Sequence, residues 1–485
     1  MGTPQGRWVV LAAALGSGMA MLDGTVVNVA LPHIGADLGA SLAALQWTVN
    51  AYLLTLAGLI LLGGSLGDRY GRRRVFVIGV CWFAAASGLC AIAPSVDLLI
   101  AARALQGIGG ALLTPGSLAL LQAAFHPDDR SAAVGAWSGL GGVATAVGPF
   151  LGGWLVSGPG WRWIFVINLP VALLVALLTL RHVPESRDEQ AAGRFDIPGA
   201  VLAALSLGGV TYALTAAAEQ VSPAVWVSAF AGVLLGAAFV VVERRSARPM
   251  LPLGLFASRL FTAVNLVTLG VYGALGGVFF FLQVQLQTVS GFQPLVAGVA
   301  FAPVTVLMLL FSARSGRLAS RIGPRLPLTL GPLIAAGGVL LMLRIGPHAS
   351  YWTDVLPAAV LFGIGLTALV APLTATVLAA VDVRRAGIAS GVNNAAARAA
   401  GLLAVAALPL LTGLSGEQYR VPAAVDSAFR TAVLICAGLL AAAGLLALAT
   451  VPGRPPATEA EPDATWYCGT TAPPVDPGHE CPGST

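Results

Sequence analysis

Long apolar runs separated by short polar gaps recur along the whole chain. A membrane-spanning helix needs about 20 mostly apolar residues. Cutting at charges and at Pro/Gly-rich breaks predicts spans at 8–31, 46–66, 75–95, 98–122, 132–156, 163–180, 197–217, 222–242, 261–286, 295–313, 326–344, 354–379, 387–412 and 430–451. No charged residue occurs between Arg259 and Arg314, a run too long for one helix, and the turn residues of Val289-Ser290-Gly291-Phe292-Gln293-Pro294 divide it. The pattern predicts an all-α membrane protein with 14 transmembrane helices.

An even count puts both termini on one side, and the arginines test this. Gaps assigned to the cytoplasm hold 20 of the 26 basic residues, all of which are Arg. The opposite side holds Arg162, Arg344, Arg420 and Arg430, while Arg103 and Arg398 fall inside spans. Positive residues concentrate in cytoplasmic loops, so both termini are expected in the cytoplasm and the chain in the cell (inner) membrane. Composition agrees: 57% of residues are hydrophobic and 10% charged, too few charges to cover a soluble protein of this size. The net charge of +5 does not point to nucleic acid, because the arginines lie in short loops between apolar runs. Arg7 and the apolar run after it resemble a signal peptide, but the many spans that follow favour a retained first helix. Pro452 to Thr485 is rich in Pro, Thr and acids and is expected to be a disordered cytoplasmic tail.

Little else in the composition suggests chemistry. Cys81, Cys90, Cys436, Cys468 and Cys481 show neither metal-ligand spacing nor a disulfide framework. His33, His126, His182, His348 and His479 are scattered, and no phosphate-binding loop or dinucleotide fingerprint is present. No metal, no cofactor, no enzymatic reaction and no ATP-driven pumping are expected.

Two cytoplasmic gaps resemble each other. Gly64-Ser65-Leu66-Gly67-Asp68-Arg69-Tyr70-Gly71-Arg72-Arg73 follows the second span and Gly316-Arg317-Leu318-Ala319-Ser320-Arg321-Ile322-Gly323-Pro324-Arg325 the tenth. Five of the ten positions coincide at an offset of 252 residues, or eight spans. Two six-helix halves with an inserted pair would give this spacing, an architecture known from transporters. The expected domains are a six-helix bundle at 1–180, two inserted helices with linkers at 181–258, a second six-helix bundle at 259–451 and the tail at 452–485.

The segment Gly64 to Arg74 resembles the signature loop between the second and third helices of the major facilitator superfamily. The resemblance implies a conformational switch built from Gly64, Asp68, Arg69, Gly71 and Arg72, holding the cytoplasmic side closed in the outward-facing state. In the second copy Ser320 replaces the acid, so a weaker lock is expected there. Leu22-Asp23-Gly24-Thr25-Val26-Val27-Asn28-Val29-Ala30-Leu31-Pro32 is similar to a motif of the fourteen-span drug:proton antiporter family. Leu99-x3-Arg103-x2-Gln106-Gly107-x-Gly109-Gly110-Ala111 matches a family motif implicated in proton transfer. The fifth span, with Gly148-Pro149-Phe150-Leu151-Gly152-Gly153, resembles the motif of antiporters rather than importers, although Ala144 replaces its first Gly. Trp161-Arg162-Trp163-Ile164-Phe165-x-Ile167-Asn168-x-Pro170, Gln287-x3-Gly291 and Ala389-Ser390-Gly391-Val392-Asn393-Asn394 also look like this family. The resemblance runs from about residue 8 to 450.

Asp23 is the one acid placed well inside a predicted span. A carboxylate in that position must be neutralised or paired, which suits a proton carrier; a structural polar contact between helices is the alternative. Counting from the span ends, Asp23 and Arg103 differ in depth by about 5 Å at 1.5 Å per residue, so they are able to pair. Polar residues in apolar spans are candidate cavity contacts: Asn28, Gln46, Asn50, Gln106, Asn168, Asn265, Gln283, Gln287, Asn393, Asn394 and Arg398. Interhelical hydrogen bonding is the competing explanation for each. The single buried acid favours neutral, weakly cationic or anionic amphipathic substrates over dications. The expected function is proton-coupled export of small amphipathic compounds by a monomer in contact with membrane lipid; proton-coupled import of a small organic solute is the alternative.

Overall fold

The computed structural model describes residues 4–187, 196–246, 249–381 and 386–453. The expected tail lies outside the described residues from 454 onward. No strand occurs among the described residues. Fourteen long helical segments follow in order: α1 (Pro4–Leu38), α2 (Leu42–Tyr70), α3 (Arg72–Ala91), α4 (Val96–Ala124), α5 (Pro127–Ser157), α6 (Trp163–His182), α7 (Ile197–Glu219), α8 (Pro223–Arg245), α9 (Arg259–Val289), α10 (Pro294–Val299 and Ala302–Ile322), α11 (Arg325–Arg344), α12 (Tyr351–Ala379), α13 (Ala386–Thr412) and α14 (Pro422–Thr450). By length and composition 13 of them are apolar enough to cross a membrane, and the apolar part of α5 covers Val143–Ser157. This is a multi-pass membrane protein.

Helix ends depart from the predicted spans for identifiable reasons. The first helix continues through Pro32 and stops only at Gly39, whose φ of +62° breaks it. The last begins at Pro422 rather than 430. Asp426 and Arg430, one turn apart at 3.0 Å, neutralise each other inside it. The charge-free run after Arg259 does divide where predicted: α9 ends in a π-helical turn at Gln285–Val289, and Gly291 has φ +69°.

Packing repeats at an eight-helix offset. In the first half α1 packs on α5, and α4 on both α2 and α3; in the second α9 packs on α13, and α12 on both α10 and α11. The repeated loops match in backbone as well as sequence. Gly71 and Gly323 both follow a helix with positive φ, +107° and +87°, a conformation that favours glycine. The space for a β-carbon on Gly64 lies 3.5 Å from Pro115 of α4, and that on Gly316 lies 3.7 Å from Ala371 of α12. The pair α7 and α8 pack on each other, with α7 against α2 and α13.

Candidate functional site

Four helices converge on Asp23, which is 1% exposed. Its Oδ2 accepts from Arg103 Nη1 of α4, in a buried ion pair. Its Oδ1 accepts from Gln106 Nε2 at 2.8 Å and Asn168 Nδ2 at 3.2 Å. Ser87 Oγ on α3 accepts from the same two amides, at 2.8 and 3.2 Å. Arg103 is itself 1% exposed and has further partners: Thr48 O at 3.1 Å, Gln106 Oε1 at 2.6 Å, and the Tyr52 ring 4.4 Å from its guanidinium carbon. The Tyr52 hydroxyl donates to Ala20 O at 3.0 Å, which fixes that ring. Small residues on α4 make this convergence possible: the space for a β-carbon on Gly109 is 2.8 Å from the Phe83 backbone of α3.

The structure thus brings Asp23 and Arg103 together, and it places Gln106 and Asn168 in their network rather than on an open surface. Ser87, Thr48 and Tyr52 were not singled out from the sequence. Ser and Thr are too common in spans to stand out, and an aromatic ring over a guanidinium has no spacing signature.

At the arginine-rich end, Arg72 Nε donates to Asp68 Oδ1 at 2.9 Å across Gly71. The segment after α6 docks beside this pair. Glu185 accepts from Arg73 N and Arg74 N at 3.1 and 3.2 Å, capping α3. Ser186 O accepts from Arg72 N at 2.8 Å. In the second copy Ser320 Oγ donates back to Arg317 O at 2.7 Å, where Asp68 makes an ion pair in the first. At the opposite end Asp37 accepts from Trp161 Nε1 at 3.0 Å and Arg162 Nη1 at 2.6 Å, which ties α1 to the start of α6.

The two halves meet at the arginine-poor end. Gln46 Nε2 donates to Val405 O at 2.6 Å, Gln287 Nε2 to Val29 O at 2.9 Å, Tyr419 Oη to Ala40 O at 2.7 Å and Leu295 N to Ser157 Oγ at 3.3 Å. The small residues of α5 sit at this junction. Gly148 and Gly152 face Thr25 and Val26 of α1, while Gly153 faces Pro294 and Pro149 faces Gly298 of α10. Side chains there would hold the helices apart.

Of the remaining cavity candidates, several are held within one half. Asn28 Nδ2 donates to Gly24 O at 3.3 Å, Gln283 Nε2 to Ala297 O at 3.4 Å, Asn265 Nδ2 to Phe261 O at 2.8 Å, and Asn393 Nδ2 to Thr268 Oγ1 at 2.8 Å and Asn265 Oδ1 at 3.1 Å. Asn50 is fully buried and neither of its side-chain polar atoms has a partner. Asn394 and Arg398 are half-buried on α13.

The Major Facilitator Superfamily profile matches residues 13–405. The chain belongs to that superfamily. The puromycin resistance protein of Streptomyces alboniger is 37% identical, with 93% of each chain aligned. The tetracenomycin C resistance and export protein of Streptomyces glaucescens is 36% identical over 83% of this chain and 75% of that one. Among solved structures a peptide transporter aligns over 93% of this chain and 94% of its own, with a TM-score of 0.68 at 16% identity, a likeness of fold. Membership of the superfamily makes the chain a transporter of small molecules, not an enzyme.

Proposed function

We propose that this transporter exports small amphipathic compounds from the cytoplasm in exchange for protons. The observation that carries the reading is Asp23, a carboxylate buried far from either helix end and held by a buried arginine. All three groups on its oxygens are donors, so this arrangement suits the ionised acid. A proton arriving on either oxygen displaces one of them. Arg103 keeps Thr48 O, Gln106 Oε1 and the Tyr52 ring when that happens, so it need not leave its place. Protonation is thereby turned into a rearrangement of α1 against α4.

The halves at 1–180 and 259–451 rock against each other, with the helices of 181–258 outside the pathway. With both termini in the cytoplasm of the cell membrane, the arginine-poor junction is the outer seal. Opening it parts the bonds of Gln287, Tyr419 and Leu295. A proton entering from outside neutralises Asp23 and favours return to the state with that seal made. The ion pair of Asp68 and Arg72 acts at the cytoplasmic end. One chain holds both halves, so a monomer suffices. Export rather than import is supported by the resistance and export roles of the relatives and by the small-residue face of α5.

The test is efflux of puromycin, tetracenomycin C or a fluorescent dye from energised cells expressing the protein, with and without a protonophore. Protonophore-sensitive efflux that Asp23→Asn abolishes is expected. Efflux unaffected by the protonophore, or full efflux by the Asp23→Asn variant, would overturn the coupling mechanism.

A further inference from the structure

The helices α2 and α13 run antiparallel, and two contacts fix their register. Gln46 meets Val405. Leu61 Cδ2 lies 2.9 Å from the space for a β-carbon on Gly391. Residues 391, 398 and 405 are about two helical turns apart each, so Arg398 lies on the face of α13 that meets α2. On α2 the same rule puts Asn50 and Leu53 between Gln46 and Leu61, on the face that meets α13. Arg398 falls opposite Leu53 and within one turn of Asn50. Asn394 precedes Arg398 by one turn on the same face.

These groups are unsatisfied. Among the described residues Arg398 has neither a hydrogen-bond nor an ion-pair partner. Asn50 buries both amide atoms without one. A charged residue at the centre of a spanning helix is costly without a partner, and so is a buried amide group that makes no hydrogen bond. Arg103, by contrast, has its charge matched by Asp23. With Asp23 ionised, the centre of the molecule therefore carries one uncompensated positive charge, with amide donors beside it.

We propose that Arg398, with Asn50 and Asn394, binds the anionic group of the exported molecule, so that the substrates are amphipathic monoanions such as aryl carboxylates or phenolates. This rests on the reading of the protein as an exporter. Arg398 is 12 residues from the start of α13 and 14 from its end, about 18–21 Å along the helix. That depth places it out of reach of lipid headgroups and level with the Asp23 pair. An anion leaving the cytoplasm also moves with the membrane potential, which favours its export.

The test uses the full chain in phosphatidylcholine nanodiscs and two probes that differ by one charge, 1-pyrenebutyrate and its methyl ester. Fluorescence titration should show about tenfold or greater preference for the carboxylate, the scale of one charge-assisted hydrogen bond. Arg398→Gln should bring the affinity ratio to about one, and Arg398→Lys should restore most of it. A ratio unchanged in Arg398→Gln overturns the assignment. So does a preference that disappears when phosphatidylglycerol is added to the nanodiscs, since the site would then serve a lipid headgroup. Efflux of 1-pyrenebutyrate measured in proteoliposomes under a proton gradient separates this from the export reading: no efflux with the binding ratio intact removes export alone.

Discussion

Among the described residues, Asp23 and Arg103 are each other's ion-pair partners in the buried network of α1, α2, α3, α4 and α6, and their removal has unequal consequences. Losing one partner of a buried ion pair strands the other, which costs about 3–5 kcal/mol. In Asp23→Asn the stranded group is Arg103, cushioned by Thr48 O and the Tyr52 ring, so the loss should sit near the lower bound. The double variant Asp23→Asn/Arg103→Gln strands nothing and should regain much of that stability without regaining transport. Thermal unfolding of the purified proteins measures the first claim and efflux the second. A double variant less stable than the single one would mean that Arg103 is not the stranded charge. The sequence was sufficient to find this pair because a lone acid in a span is conspicuous and depth follows from helical rise. It was insufficient for the shell around it: Gln106 and Asn168 read as cavity contacts, and only the geometry turns their amides toward Asp23.

At the scale of helices, most elements were legible because apolar runs and arginine-bearing gaps obey the bilayer. The gaps themselves were less so. The end of α8 extends far enough to bury Glu243, 2% exposed, which the predicted span at 222–242 left outside. Glu243 Oε2 accepts from Leu251 N at 3.0 Å, tying α8 to the linker that leads into α9. Its Oε1 and Asp196 Oδ2 have no donor, and both residues crowd Gly199 at the start of α7. Asp196 caps α7 by accepting from Gly199 N at 2.8 Å. A glutamine at 243 keeps the bond to Leu251 and brings a donor toward Asp196. Glu243→Gln should therefore match or exceed the parent in thermal stability, whereas Glu243→Ala should lose about 1–3 kcal/mol through the orphaned Leu251 amide. Equal unfolding temperatures for all three proteins would show that the inserted pair is not anchored through this residue. Nothing in the periodicity marks Glu243, because its importance comes from a loop that folds back on it.

For the whole molecule, the arrangement of the halves decides whether a central site reaches one side of the membrane or the other. The structure holds them together at the arginine-poor end through α5 against α10 and through Gln287, Tyr419 and Gln46. Alternating access requires that junction to part once per cycle. Ser157 and Leu295 are bonded across it, so cysteines in their places, on a background without the native thiols, should form a disulfide under mild oxidation. Oxidation should stop efflux while leaving binding of a probe from the arginine-rich side intact, and a reductant should restore turnover. A covalent tie limits only the state in which its two residues separate. Efflux that continues at the parent rate with the disulfide formed would mean that α5 and α10 stay joined at this end throughout transport. The substrate would then have to leave by another path between the halves. Loss of binding as well as efflux would instead place the entrance to the central site at the arginine-poor end.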